Sequence, residues 1–370
     1  MMITCFREWP TALAPLRGAS GEFEARLPAG ERLWYGSGRA ALFDLLGTLG
    51  LEPGAEVLMP AYIAAGVIDP VRAQGLRPRF YPTGADLLLD EGAVMDAAGR
   101  GARAVIVLHP MGRPQKIERL AGFCRERGVA LIEDCAQGLF SRDLDGRPLG
   151  SRGDAALFSL PKFLGTVDGA VLVLRGRAAP QRPRRRHAAA RAAGAWHRAH
   201  LLANRCLHEA SQPALCDVLL GASGFFHERY YALAGADFRP APPAASTLAA
   251  ASRLDVEGLV RRRRANVERL YAGLKSPALR LVYPRDLPGW VPLAVPAFVL
   301  GRERASVQAE ARRRGVLLAS LSQRWDYIPA GEAAAFAAER AYLDSHVLIP
   351  INEHIDDARM ERVVQTLNDL

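Results

Sequence analysis

An acid and an amine stand at neighbouring strand ends in the stretch from Val129 to Leu174. The apolar run Val129–Ile132 stops on Glu133-Asp134, and Gln137 follows. The next strand-like run, Ala155–Leu160, carries Ser159, and Lys162 lies three residues past it. A lysine amine can condense with an aldehyde and then move a proton. A carboxylate against a pyridine nitrogen keeps that nitrogen protonated, which makes the ring an electron sink. Together these groups suit pyridoxal 5′-phosphate. Lys162 would hold the aldehyde, Asp134 the pyridine nitrogen, Ser159 the phosphate and Gln137 the ring hydroxyl.

A phosphate also needs backbone donors. Gly36-Ser37-Gly38-Arg39 opens the helical pattern Ala40–Leu46, and a helix N-terminus offers free N–H groups and a positive dipole end. The N–H groups of Ser37, Gly38 and Arg39 are the expected cradle. His109, after the run Arg103–Leu108, and Tyr62, after Pro60, are further candidates for contact with the cofactor. A metal centre is not expected, because the eight histidines show neither HxH nor HExxH spacing. Ser-His-Asp hydrolysis lacks a G-x-S-x-G elbow.

These residues need a sheet to aim them. Strand-like runs at Glu56–Met59, Arg77–Tyr81, Arg103–Leu108 and Val129–Ile132 alternate with helical patterns at Ile63–Gln74 and Ile117–Arg127. Continuous apolar character in such strands indicates a mostly parallel sheet covered on both faces, with ligands beyond the carboxyl ends of the strands. The expected fold is α/β. A large pyridoxal-phosphate-transferase domain, with a mostly parallel mixed sheet flanked by helices, fills residues 1–240, including an N-terminal arm and a basic helical segment. Residues 241–370 would form a long linking helix and a smaller C-terminal α/β domain.

The chain of 370 residues, 49% hydrophobic and 24% charged, can bury a sizeable core. No apolar run approaches the roughly 20 residues needed to cross a bilayer, and the first residues lack a secretory pattern. Five scattered cysteines without a CxxC pair fit a reducing cytoplasm. Much of the net charge of +9 is arginine, in Arg182–Arg191 and Arg261–Arg264. Aromatic residues do not interleave with these runs, so nucleic acid is not the expected partner and both read as solvated surface. Gly224–His227 with Tyr230-Tyr231 forms an aromatic cluster that covers a cleft or packs on the sheet.

The chain resembles the DegT/StrS-type sugar aminotransferases of the fold type I pyridoxal phosphate enzymes. The similar passages are Gly36–Leu42, Gly54–Tyr62, His109–Gly112, Leu131–Gln137 and Gly153–Gly169, with Pro350 and the helix after it. Asp134, Gln137, Ser159 and Lys162 fall on the family's cofactor positions. The resemblance implies a homodimer with active sites at the interface. It also implies transfer of an amino group from a small-molecule donor, usually glutamate, to a keto or aldehyde acceptor. That acceptor would be a nucleotide-linked keto sugar in polysaccharide or natural-product biosynthesis. Asp237-Phe238-Arg239 looks like the family's asparagine-aromatic-arginine loop, which makes Arg239 a substrate candidate. The serine-to-lysine step is three residues where the family commonly has five, Phe163 follows the lysine, and Ile63-Ala64 stands where an aromatic residue often stacks on the ring. Arg182–His200 aligns with nothing in the family. A lyase or decarboxylase on an amino-acid-like substrate would share every cofactor residue. A non-catalytic nucleic-acid-binding regulator would use the arginine runs instead.

Overall fold

The computed structural model describes residues 2–4, 21–176, 180–183, 185–210, 212–285, 287–321, 325–329 and 331–370. Most of the expected N-terminal arm, with Trp9 and Cys5, lies outside the described residues. The strands are β1 (Ile3–Thr4), β2 (Glu31–Tyr35), β3 (Glu56–Pro60), β4 (Arg77–Tyr81), β5 (Ala104–Leu108) and β6 (Ala130–Asp134). They continue with β7 (Ala155–Ser159), β8 (Ala170–Leu174), β9 (Leu279–Leu281), β10 (Val295–Val299), β11 (Val316–Leu317) and β12 (His346–Ile349).

Seven strands form one sheet in the order β2-β8-β7-β6-β5-β3-β4. The four pairings from β4 through β7 are parallel, whereas β8 pairs antiparallel with both β7 and β2. The chemistry follows from the way this sheet is covered. Helices Gly38–Thr48 and Ala65–Ala73 bury Leu42, Leu45 and Ile68 against Ile106, Ile132 and Leu157 on one face. Helices Glu91–Gly99 and Glu118–Arg127 bury Val94 and Leu120 against Val105 and Leu131 on the other. Runs such as Ala104–Leu108 are therefore apolar throughout instead of alternating. The turn at Gly128, in the left-handed region at φ 67°, ends its helix and feeds β6.

A three-stranded antiparallel sheet, β12-β10-β9, carries a second core with helices Val256–Gly273, Arg304–Arg313 and Asp357–Asn368. The run Val316–Leu318, expected among the strands of a small domain, instead places β11 in parallel pairing with β1 from the N-terminus.

Between the two sheets in sequence lies a helical hairpin, Ala188–Glu209 and Pro213–Ala236. Pro213 opens the second helix, where its missing N–H costs nothing. The aromatic cluster lies on the second helix of this hairpin, with the Phe226 ring 6.0 Å from that of Trp196 and Phe225 exposed.

The arginine runs are not uniformly solvated. Arg263 is fully buried, with Glu353 on Nε at 2.9 Å, the Pro292 carbonyl on NH1 at 2.8 Å and the Phe163 ring 4.9 Å away. Arg261 and Arg264 face solvent, because helical spacing turns only one residue of such a run inward. Arg186 likewise pairs with buried Asp168.

Candidate active site

Side-chain parity on β6 separates the two acids. Ile132 packs toward the helix Gly38–Thr48, so Asp134, two residues on, shares that face and Glu133 points to the other. Asp134 is 6% exposed and accepts a hydrogen bond from the Ala136 N–H at 3.0 Å. Burial raises its pKa, against the opposing pull of Lys162, the Ala136 N–H and His109. Lys162 follows β7 directly, in the short helix Pro161–Leu164 that Gly165 ends in the left-handed region at φ 62°. Burial lowers the Lys162 pKa and Arg39 adds to this, while Asp134 pulls it upward. Burial thus pushes acid and amine toward their neutral forms, while the opposite charge of each favours the other's charged form. A lysine so placed is a competent nucleophile toward an aldehyde.

The turn before the helix Gly38–Thr48 is anchored from both sides. The Gly36 N–H donates to the Ala241 carbonyl at 2.7 Å, and the Gly169 N–H donates to the Gly36 carbonyl at 3.0 Å. Ser37 caps the helix, its Oγ accepting from the Ala40 N–H at 3.2 Å. Gly38 has open space where a Cβ would be. Arg39 lays its guanidinium 4.6 Å from the Tyr231 ring centroid, and its Nε is buried with no hydrogen-bond partner. First-turn N–H groups, open space and an orphaned cationic donor fit a phosphate. A buried acid and a depressed-pKa lysine fit the pyridine and aldehyde ends of pyridoxal phosphate.

The other predicted residues are placed as follows. Ser159 ends β7, half-buried, one strand from Asp134. Gln137 is buried and its Oε1 accepts from the Met111 N–H at 2.7 Å, so its NH2 group is the part that could meet a ring hydroxyl. Tyr62 is buried between Trp325 and Tyr342, with ring centroids 5.3 Å from each. His109 is engaged elsewhere. Its Nδ1 accepts from the Gln115 N–H at 3.1 Å, which puts the proton on Nε2, and Nε2 donates to Glu133 at 3.0 Å. Neither nitrogen is left for a cofactor. Arg239 is exposed and bound to its own neighbour Asp237, with Nε to Oδ1 at 3.0 Å. It lines a cleft, open to solvent, that also touches Ser37 and Tyr230.

His109, Glu133 and Cys135 offer ligand atoms within 4.8 Å of one another. The tautomer of His109 argues against a metal there, because the proton on Nε2 occupies the position a metal would need.

Three contributors have no role assigned from the sequence. Glu133 is a buried hub that also accepts from the Arg152 N–H at 2.7 Å and the Gly153 N–H at 2.6 Å. Asp168 accepts from Thr247 Oγ1 at 2.6 Å and from the Ala244 N–H at 3.1 Å, next to the glycine that holds the Gly36 turn. Trp325 stands over Lys162, with Nζ 5.9 Å from its ring centroid.

Residues 21–199 match the family model of the DegT/DnrJ/EryC1/StrS aminotransferases. Over that segment the chain is similar to this family. A curated member, the dTDP-4-dehydro-2,3,6-trideoxy-D-glucose 4-aminotransferase of Saccharopolyspora spinosa, is 35% identical over 142 residues, which is 37% of this chain and 36% of that one. The match therefore spans little more than a third of that relative's length. Among solved structures, the aminotransferase TlmJ from Streptoalloteichus hindustanus superposes with a TM-score of 0.72 at 22% identity, over 100% of this chain and 98% of that one. Spr1654 from Streptococcus pneumoniae in its PMP-form gives 0.67 at 16% identity, over 95% and 89% of the two chains. These likenesses establish the family's α/β fold. The family match ends at residue 199, inside the first helix of the hairpin, so the segment Arg182–His200, expected to align with nothing in the family, lies almost wholly within the match.

Proposed function

We propose that this protein is a pyridoxal-phosphate-dependent aminotransferase. It moves an amino group from an amino-acid donor, glutamate first, to the carbonyl of a nucleotide-linked keto sugar. The observation that carries the reading is the placement of Asp134 and Lys162 at neighbouring strand ends, each the other's counter-charge, beside the capped turn Ser37–Arg39. The sugar-nucleotide relative supports the acceptor class. On this reading residues 1–240 form the cofactor-binding unit and 241–370 the linking helix and smaller unit. The enzyme works as a cytoplasmic homodimer with active sites at the interface, and among the described residues no helix is long and apolar enough to cross a membrane.

When bound, pyridoxal phosphate supplies the aldehyde and the electron-withdrawing ring. The protein supplies the rest. Asp134 would hold a proton on the pyridine nitrogen, the first-turn N–H groups of the helix Gly38–Thr48 and Ser159 would hold the phosphate, and Arg39 would screen its charge. Lys162 would hold the aldehyde end through Nζ and, when that nitrogen is free, would take up and return a proton there. Its lowered pKa keeps a share of the amine neutral, and so able to take the proton, near neutrality.

The regulator reading loses its main support with Arg186 and Arg263 turned inward onto Asp168 and Glu353. A half-reaction tests the transferase against the lyase. Protein loaded with pyridoxal phosphate and given glutamate without an acceptor should release one 2-oxoglutarate per site and no carbon dioxide. Release of carbon dioxide, or no keto acid from any amino acid, would overturn the proposal.

A further inference from the structure

We infer that Trp325 is the aromatic wall of this site and packs against the ring of the bound cofactor. The inference rests on Lys162 being the cofactor's attachment point. The observation behind it is a contact across 163 residues of sequence, in which Lys162 Nζ lies 5.9 Å from the centroid of the Trp325 ring. A planar group joined to Nζ would lie within reach of that indole, which is only partly buried. The residues beside Tyr62 offer no competing ring, because Ile63 is sealed in the core and Ala64 has only a methyl group.

Trp325 is held in place by the residues just after β3 and by the helix Ala337–Ser345. Asp326 forms an antiparallel bridge with Tyr62, and the Tyr327 N–H donates to the Ala61 carbonyl at 3.3 Å. Arg340, from the helix Ala337–Ser345, grips Asp326 with NH1 to Oδ2 at 2.7 Å. The indole packs on Tyr62, Tyr62 on Tyr342, and Tyr342 stacks on His346 with centroids 4.4 Å apart. This ladder runs from the edge of the small sheet to the amine, so the indole is presented by a fixed scaffold. An aromatic face at the end of it stabilises a flat heteroaromatic ring by offset stacking.

The test is binding, not turnover. The full chain is titrated with pyridoxal 5′-phosphate while indole emission and ligand absorbance are followed, for wild type, Trp325→Phe and Trp325→Leu. Wild type should bind with part of its emission quenched, and that part should be absent from Trp325→Phe. Trp325→Leu should raise Kd about three- to tenfold, with Trp325→Phe within about twofold of wild type. Should Trp325→Leu fail to fold, the emission difference between wild type and Trp325→Phe still decides. Wild-type affinity in Trp325→Leu, or Trp325 emission indifferent to the ligand, would overturn this inference and leave the cofactor proposal standing. A wild-type chain that takes up no pyridoxal phosphate would overturn both.

Discussion

His109 and Glu133 form a buried pair beneath the proposed cofactor, with Nε2 and Oε2 3.0 Å apart and each side chain 1% exposed. Burial alone would raise the Glu133 pKa. The hydrogen bond from His109, with the N–H groups of Gly153 and Arg152, outweighs it and holds the carboxyl below its ordinary value. The pair fixes the ends of β5 and β6 relative to the Gly153 turn that enters β7, and so fixes the spacing of Asp134 and Lys162.

Glu133→Gln should therefore destabilise the fold by about 2–4 kcal/mol, because it sets an amide NH2 against N–H donors in a closed site. Since the folded pKa is depressed, the carboxylate's contribution is fully present above the unfolded pKa and is lost as pH falls through the folded value. Urea titrations between neutral and acid pH should show wild type losing stability on acidification faster than Glu133→Gln. Parallel losses would contradict the assignment.

His346 acts in a different pH window, alongside His197. Burial lowers the His346 pKa from 6.5 to about 4, against the upward pull of the Tyr342 carbonyl, which accepts from Nδ1 at 2.7 Å, while Nε2 accepts from the Leu321 N–H at 2.9 Å. The unfolded state then binds a proton that the folded state refuses, so stability is full above about pH 6.5 and falls as pH drops toward 4. Its slope over that window should be about 1.4 kcal/mol per pH unit smaller in His346→Gln. An unchanged slope would show that His346 titrates normally.

Gly169 should tolerate no side chain. It sits at φ 121°, and a Cβ would lie 2.7 Å from both Leu160 and Thr247 side-chain carbons. Its N–H also holds the Gly36 carbonyl. Gly169→Ala is expected to cost about 2–4 kcal/mol and to weaken pyridoxal phosphate binding by loosening the Ser37 turn. Thermal melts and a binding titration check the two effects, and wild-type values in both would refute the anchoring role.

The lesson for sequence reading is uneven across these residues. Asp134, Ser159 and Lys162 were legible because each closes an apolar run in one strand-helix alternation, and the family resemblance adds to that signal. The position of His109 was legible, but its partner was not. Register decides it, since Leu108 pairs with Asp134, and the next residue falls to the other face beside Glu133. Arg263 was hidden in a run of identical charges, where only the packed helix selects the buried member. Trp325 and Asp168 depend on contacts between distant segments, which no local spacing records.

The most direct measurement of the central assignment is chemical. Protein equilibrated with pyridoxal 5′-phosphate is reduced with borohydride, digested and mapped by peptide mass spectrometry. A phosphopyridoxyl mass on Lys162, absent when Lys162→Ala is treated in the same way, is the expected result. The same label on another lysine, or none on Lys162, would contradict it.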